Sequence, residues 1–76
     1  MGKLSYTIVV EKAKGNRSAY VPDLPGCVAT GRTEAQVVRR MEEAIQLHLR
    51  GMIEDGDPIP LPSATSRRIH LKLSAA

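Results

Sequence analysis

Apolar and polar residues alternate from the start of the chain. Over residues 3–11, Leu4, Tyr6, Ile8 and Val10 fall on one face, and Lys3, Ser5, Thr7 and Glu11 on the other, with Val9 the exception. A period of two with β-branched residues predicts a half-buried strand. The polar run 12–17 contains Gly15-Asn16, a turn signal, and residues 18–22 predict a second strand, so the two form a hairpin. Pro22 has no backbone donor and should end this strand or lie on a free edge. In Leu24-Pro25-Gly26-Cys27, proline pre-sets the first central position of a type II turn and glycine supplies the positive φ of the second. Residues 27–31 then predict a short third strand of small residues, broken by Gly31 and Arg32.

The period changes after Thr33. This residue is a good N-cap, with Gln36 three positions on, a capping-box spacing in which the Gln36 side chain returns to the Thr33 N–H. Glu34 in the first turn suits the positive end of the helix dipole. At 100° per residue, Val37, Val38, Met41, Ala44, Ile45, Leu49, Met52 and Ile53 gather on one face. Arg39, Arg40, Glu43, Gln46, Arg50 and Glu54 lie opposite, with Leu47 among them. Arg39–Glu43 and Arg50–Glu54 are i,i+4 pairs, each worth only a few tenths of a kcal/mol. Gly51 costs about 1 kcal/mol relative to alanine inside a helix, and Gly56 and Pro58 end the helix.

Pro58, Pro60 and Pro62 favour an extended, stiff connection that carries the chain back to the sheet. Residues 68–73 alternate again, with Ile69, Leu71 and Leu73 expected inward, Arg68, His70 and Lys72 outward, and residues 74–76 as a frayed tail. The order is β-β-β-α-β in the α+β class: a small, mostly antiparallel sheet with one helix packed on one face. Seventy-six residues make a single domain, residues 1–76. A chain this short buries only about 60% of its unfolded surface. With no Trp or Phe, its thin core favours a homodimer or higher oligomer.

The single cysteine, Cys27, excludes an internal disulfide and a cysteine-based zinc cage. No apolar run reaches the ~18 residues of a membrane span. The N-terminus has no cleavage site after its short apolar run, so a cytoplasmic protein is expected. A net charge of +3 permits nucleic-acid contact without requiring it.

Little in the chain suggests catalysis. His48 projects from the edge of the apolar helix face, where a partly buried histidine is the usual outcome, and His70 alternates outward. Cys27 reads as a buried, inert thiol. Asp23 beside a tight turn is placed to accept nearby backbone N–H bonds. No G-x-G-x-x-G or P-loop is present. No enzyme activity, cofactor or metal is expected. Leu47, apolar on a polar helix face, is a candidate partner contact. So is the exposed sheet face, to which Ser5, Thr7, Val9 and Ala29 are assigned, and free strand edges could pair with another chain.

The run Tyr20-x-Pro22-Asp23-Leu24-Pro25-Gly26-Cys27, the Gly31-x-Thr33 step into the helix and Pro58-Ile59-Pro60 beyond it resemble the HicB family of antitoxins, over roughly residues 4–63. The resemblance implies a partial ribonuclease H-like fold with the same element order. It also implies a partner, a HicA-type toxin that cleaves messenger RNA with a histidine and is inhibited by occlusion of its RNA-binding and catalytic surface. Many HicB proteins carry a C-terminal DNA-binding domain; none is expected here, so direct DNA binding is not carried over. HicA toxins are typically basic, like this chain, and like net charge slows encounter. The interface would then depend on apolar contact and on acidic residues such as Asp23, Glu42 or Glu43. The partner-binding set expected is Asp23, Leu24, Pro25, Glu43 and Leu47, with Tyr20, Pro22, Gly26, Cys27, Gly31 and Thr33 as the structural signature. Two other readings stand beside it: a nucleic-acid-binding transcriptional regulator acting as an oligomer through Arg39, Arg40, Arg67, Arg68 and Lys72, and an orphan enzyme using Asp23 and His48.

Overall fold

The computed structural model describes residues 3–74. Three strands, β1 (Val9–Ala13), β2 (Asn16–Tyr20) and β3 (Val28–Gly31), are followed by one helix, α1 (Glu34–Glu54). The strands form an antiparallel sheet in the order β1-β2-β3. The fold is α+β, as the pattern implies.

The register follows the alternation. Val10, Ala19 and Ala29 form one row across the sheet, and Val9, Tyr20 and Val28 form the next. Ala19 is buried with Val37 and Met41 of α1, so its row faces the helix and the Val9–Tyr20–Val28 row faces away. Ala29 therefore sits under the helix and not on the open face expected for it. The buried Cys27 fixes the phase: two residues on, Ala29 must point the same way, and Val28 between them must point out.

β1 begins later than the alternation suggests. β2 ends at Tyr20, opposite Val9, and the chain then leaves the sheet, so residues 3–8 have no neighbouring strand to bond. The hairpin is correspondingly tight, with Lys14 and Gly15 alone between paired Ala13 and Asn16. Two successive turns connect β2 to β3. Leu24 N–H donates to Val21 O (3.0 Å) and Cys27 N–H to Leu24 O (3.1 Å), while Val21 N–H closes the loop on Cys27 O (3.3 Å). Gly26 has φ +85°, the value required at the second central position of a type II turn. This double turn drives Val21, Leu24 and Cys27 into the core.

Gly31 allows the helix to start close to the sheet. A Cβ there would lie 2.9 Å from Val37 N and 3.2 Å from Val37 Cα. Thr33 Oγ1 accepts the Gln36 N–H at 3.1 Å, as a cap should. The return bond differs from expectation: Gln36 Oε1 accepts from the N–H of Arg32 (2.8 Å), one residue before the cap. At the other end, Gly56 N–H donates to Ile53 O (3.1 Å) and Asp57 N–H to Met52 O (2.9 Å), a Schellman closure.

Val37 and Met41 are buried, and Val38, Ala44, Ile45 and Leu49 pack beside them. Ile53, expected on the same face, is exposed. A helix of 21 residues is about 31 Å long, whereas strands of five residues run about 17 Å. The last turns overhang the sheet.

The fourth strand is not formed. Among the described residues, those after the helix make no regular element, and Ile69, Leu71 and Leu73 are 78%, 79% and 90% exposed instead of inward. The inward row of β1 offers Val10 and then only Lys12, so the sheet presents no further apolar surface for these side chains to cover. Of the expected frayed tail, residues 75–76 lie outside the described residues.

Candidate functional site

The sheet is covered on one face and open on the other, and the open face is the candidate interface. Its central row, Val9–Tyr20–Val28, crosses all three strands. Tyr20 is 42% exposed and Val28 63%. The adjacent row, Glu11–Ser18–Thr30, is neutral apart from Glu11. With strands about 4.8 Å apart, the apolar row is about 10 Å across. Both large side chains are held outward by buried neighbours, Tyr20 by Ala19 and Val21, and Val28 by Cys27. Turning them in would expose the core.

A second apolar surface lies at the edge of the helix. Leu4 and Tyr6 from the extended N-terminal segment face Ile45 and Leu49, with Glu42 and Gln46 on the rim of the groove between them. Its one ionisable carboxylate belongs to Glu42.

The residues singled out in the sequence fall on different elements. Leu24 is fully buried and offers no surface. Pro25 is exposed on the second turn. Asp23 is engaged by its own chain: Oδ2 accepts the N–H groups of Ser63 and Ala64 (3.0 Å each), and Oδ1 accepts the Ser63 hydroxyl at 2.7 Å. The Ala64 and Ser63 bonds hold its carboxyl below the usual carboxylate range. Tyr6 and Thr7 add to the same clasp, donating to the carbonyls of Pro60 and Ala64. Desolvation, and then the Asp23 charge, raise the Tyr6 phenol above its usual range. Glu43 and Leu47 stand one turn apart on the outer side of α1, both exposed.

Of the other chemically capable groups, Cys27 is buried and its thiol is pushed up by desolvation. His48 is half-buried on α1. Among the described residues, no three His, Cys, Asp or Glu side chains converge as metal ligands. The arginines are partly committed within the fold: Arg40 donates to Thr30 O (3.0 Å) and Arg17 to Arg32 O (2.9 Å). No described helix is long and apolar enough to cross a membrane.

Tyr20 and Val28 are the residues that sequence reasoning missed as surface. Tyr20 read as part of a folding signature, and Val28 as one of several small strand residues. The usable signal was the phase set by Ala19 and Cys27.

Comparison with known proteins places the chain in a family. Residues 6–71 match the family model described as HicB-like antitoxin of bacterial toxin-antitoxin system. An uncharacterized 14.9 kDa protein from the rep-hol intergenic region of Haemophilus phage HP1 is 38% identical over 55 residues, covering 72% of this chain and 41% of that protein. The chain thus spans less than half the length of the phage protein. A UPF0150 protein of Synechocystis is 33% identical over 57 residues, covering 74% of this chain and 72% of that one. A UPF0150 protein of Thermoplasma acidophilum is 28% identical over 68 residues, covering 88% of this chain and 99% of its own length.

Proposed function

Because this chain belongs to the HicB-like antitoxins of bacterial toxin–antitoxin systems, we propose that it neutralises a HicA-type ribonuclease by covering the toxin's RNA-binding and catalytic surface. The observation that carries this reading is the open sheet face, where Tyr20 and Val28 stand exposed in an apolar row beside neutral Ser18 and Thr30. Such a rigid, largely uncharged patch suits a basic partner, since it adds no like-charge repulsion where the surfaces meet. Aromatic side chains are enriched among residues that dominate binding energy, which makes Tyr20 the anchor.

We assign the chain no reaction of its own. Asp23 is spent on Ser63 and Ala64, and the Cys27 thiol is buried. Inhibition by occlusion needs a shaped surface and no catalytic group. The site of action is the cytoplasm, where the messenger RNA substrate of such a toxin is found.

The test is co-expression with a short basic protein encoded beside this chain. Copurification as a complex, with growth and messenger RNA levels restored, is the expected result. A neighbour that stays toxic, or that fails to copurify, overturns the proposal.

A further inference from the structure

The positive charge of the chain is gathered at one end. Residues 11–17 run from β1 through the hairpin into β2, and residues 30–40 run from the end of β3 into α1. Together they hold six of the 11 Lys and Arg residues and two of the eight Asp and Glu. These two stretches are net +4, and the rest of the chain is net −1. They also meet in space. Arg17 pairs with Gly31 across the sheet, and its guanidinium donates to Arg32 O at 2.9 Å. The Arg40 guanidinium donates to Thr30 O at 3.0 Å.

Within this end the sheet sets like charges against each other. Lys12 lies directly opposite Arg17. Lys12 is two positions from Val10 and Arg17 two from Ala19, so both side chains emerge on the helix side of the sheet. Opposed Cβ atoms stand about 5 Å apart, and like charges there are destabilising. The other strand residues of that face are Val10, Ala19, Ala29 and Gly31, so the sheet supplies no carboxylate to neutralise the pair. Arg17 also keeps a donor unspent: its Nε is buried and has no hydrogen-bond partner among the described residues. Lys12 is exposed, and its charge works against the fold that carries it.

We infer that this end, centred on Lys12, Lys14, Arg17 and Arg32, binds the phosphodiester backbone of a nucleic acid. An anion seated between opposed cations turns their repulsion into attraction. The surroundings select this polyanion over two others. None of the exposed large apolar residues falls within 11–17 or 30–40. A membrane-binding surface inserts apolar side chains, and a protein interface buries an apolar centre. Phosphate contacts need neither, being made by Lys, Arg and backbone N–H groups. Neither stretch contains an aromatic residue, so bases have nothing to stack on and the contact is independent of base sequence. The set differs from the one that the basic pairs in the sequence suggest. Arg67, Arg68 and Lys72 lie on the segment after the helix, outside this end.

Fluorescence anisotropy of the full chain with a short labelled single-stranded RNA and with a short DNA duplex tests the inference. The arm bound more tightly names the source of the backbone. Four contacts give a slope of log K against log salt of about −3 to −4, so a fourfold rise in salt should weaken binding about 50- to 150-fold. Lys12→Gln combined with Lys14→Gln should reduce that slope by about 2. Arg67→Gln combined with Arg68→Gln removes the same net charge elsewhere and should leave the slope unchanged. Because Lys12→Gln relieves the repulsion with Arg17, the thermal midpoint without nucleic acid should not fall. Absence of binding to both nucleic acids at low salt overturns the inference. So does a wild-type slope after substitution of Lys12 and Lys14, an equal loss after substitution of Arg67 and Arg68, or a lower midpoint with Lys12→Gln. Competition by poly-glutamate as effective as that by unlabelled nucleic acid would overturn it too, assigning this end to an acidic protein. No toxin enters these measurements, so their outcome is separable from that of the proposed function.

Discussion

The carboxylate of Asp23 accepts both the backbone N–H (3.0 Å) and the side-chain hydroxyl (2.7 Å) of Ser63, 40 positions later in the chain. With the Ala64 N–H (3.0 Å) on the same oxygen as the Ser63 N–H, one side chain ties the chain beyond the helix to the turn that precedes β3. A residue expected among the partner contacts is an internal clasp.

Its pH dependence follows from the bonds. The Ala64 and Ser63 donors favour the ionised form and lower the folded-state pKa below that of the unfolded chain. The clasp's contribution is therefore fully present above the ordinary aspartate range, near 3.9, and is lost as pH falls through the lower, folded value. An NMR titration of Asp23 should give a midpoint below that of an unstructured aspartate. Asp23→Asn should raise hydrogen exchange at the Ser63 and Ala64 amides several-fold while leaving the core of α1 protected. An ordinary midpoint with unchanged exchange would show that the clasp does not hold in solution.

Gly31 is constrained by space and not by φ. A Cβ would meet the Val37 backbone at 2.9 and 3.2 Å, and backbone cannot rotate away as a side chain end can. Gly31→Ala should therefore lower stability by about 1–3 kcal/mol, the usual range for overpacking. Urea denaturation measures it. A midpoint equal to wild type would mean the helix can lift from β3 at no cost.

Thr33→Ala removes the acceptor of the Gln36 N–H and should cost about 1 kcal/mol. Gln36→Ala leaves that bond in place but frees the Arg32 N–H. Because Arg32 is exposed, water can replace the lost acceptor, and the loss should be smaller than for Thr33→Ala. Thermal melts of the two variants side by side give the order; a reversed order would make the Arg32 bond the dominant one.

Local chemistry is what the sequence made legible. The type II turn needed Leu24-Pro25-Gly26-Cys27 alone, and the cap needed Thr33 with a donor three residues on. Non-local outcomes were harder to read. Whether 68–73 pairs depends on how far β1 still offers apolar surface beyond Val10, a property of the assembled sheet. Asp23 was read correctly as an acceptor of backbone N–H bonds, but the donors lie across the molecule at Ser63 and Ala64, and no spacing rule points to them. Ala29 was misplaced because its strand was read from composition, when the phase from Cys27 would have turned it inward and brought Val28 out.

The open face gives the sharpest test of the antitoxin reading. Tyr20 and Val28 are neighbours in one cross-strand row, and both already face solvent, so Tyr20→Asp and Val28→Asp leave the helix-facing core untouched. Each places a charge where an apolar contact is proposed, and desolvating an unpaired carboxylate at an interface is costly. Either substitution should weaken a copurified toxin complex at least ~10-fold, which corresponds to about 1.4 kcal/mol, and together they should abolish relief of toxicity. The far-ultraviolet circular dichroism and thermal midpoint should stay near wild type. Leu47→Asp on the outer side of α1 serves as the comparison, because Leu47 is as exposed as Val28 but lies on the other layer. Loss of the complex with Leu47→Asp, and not with Tyr20→Asp, would move the toxin from the sheet to the helix.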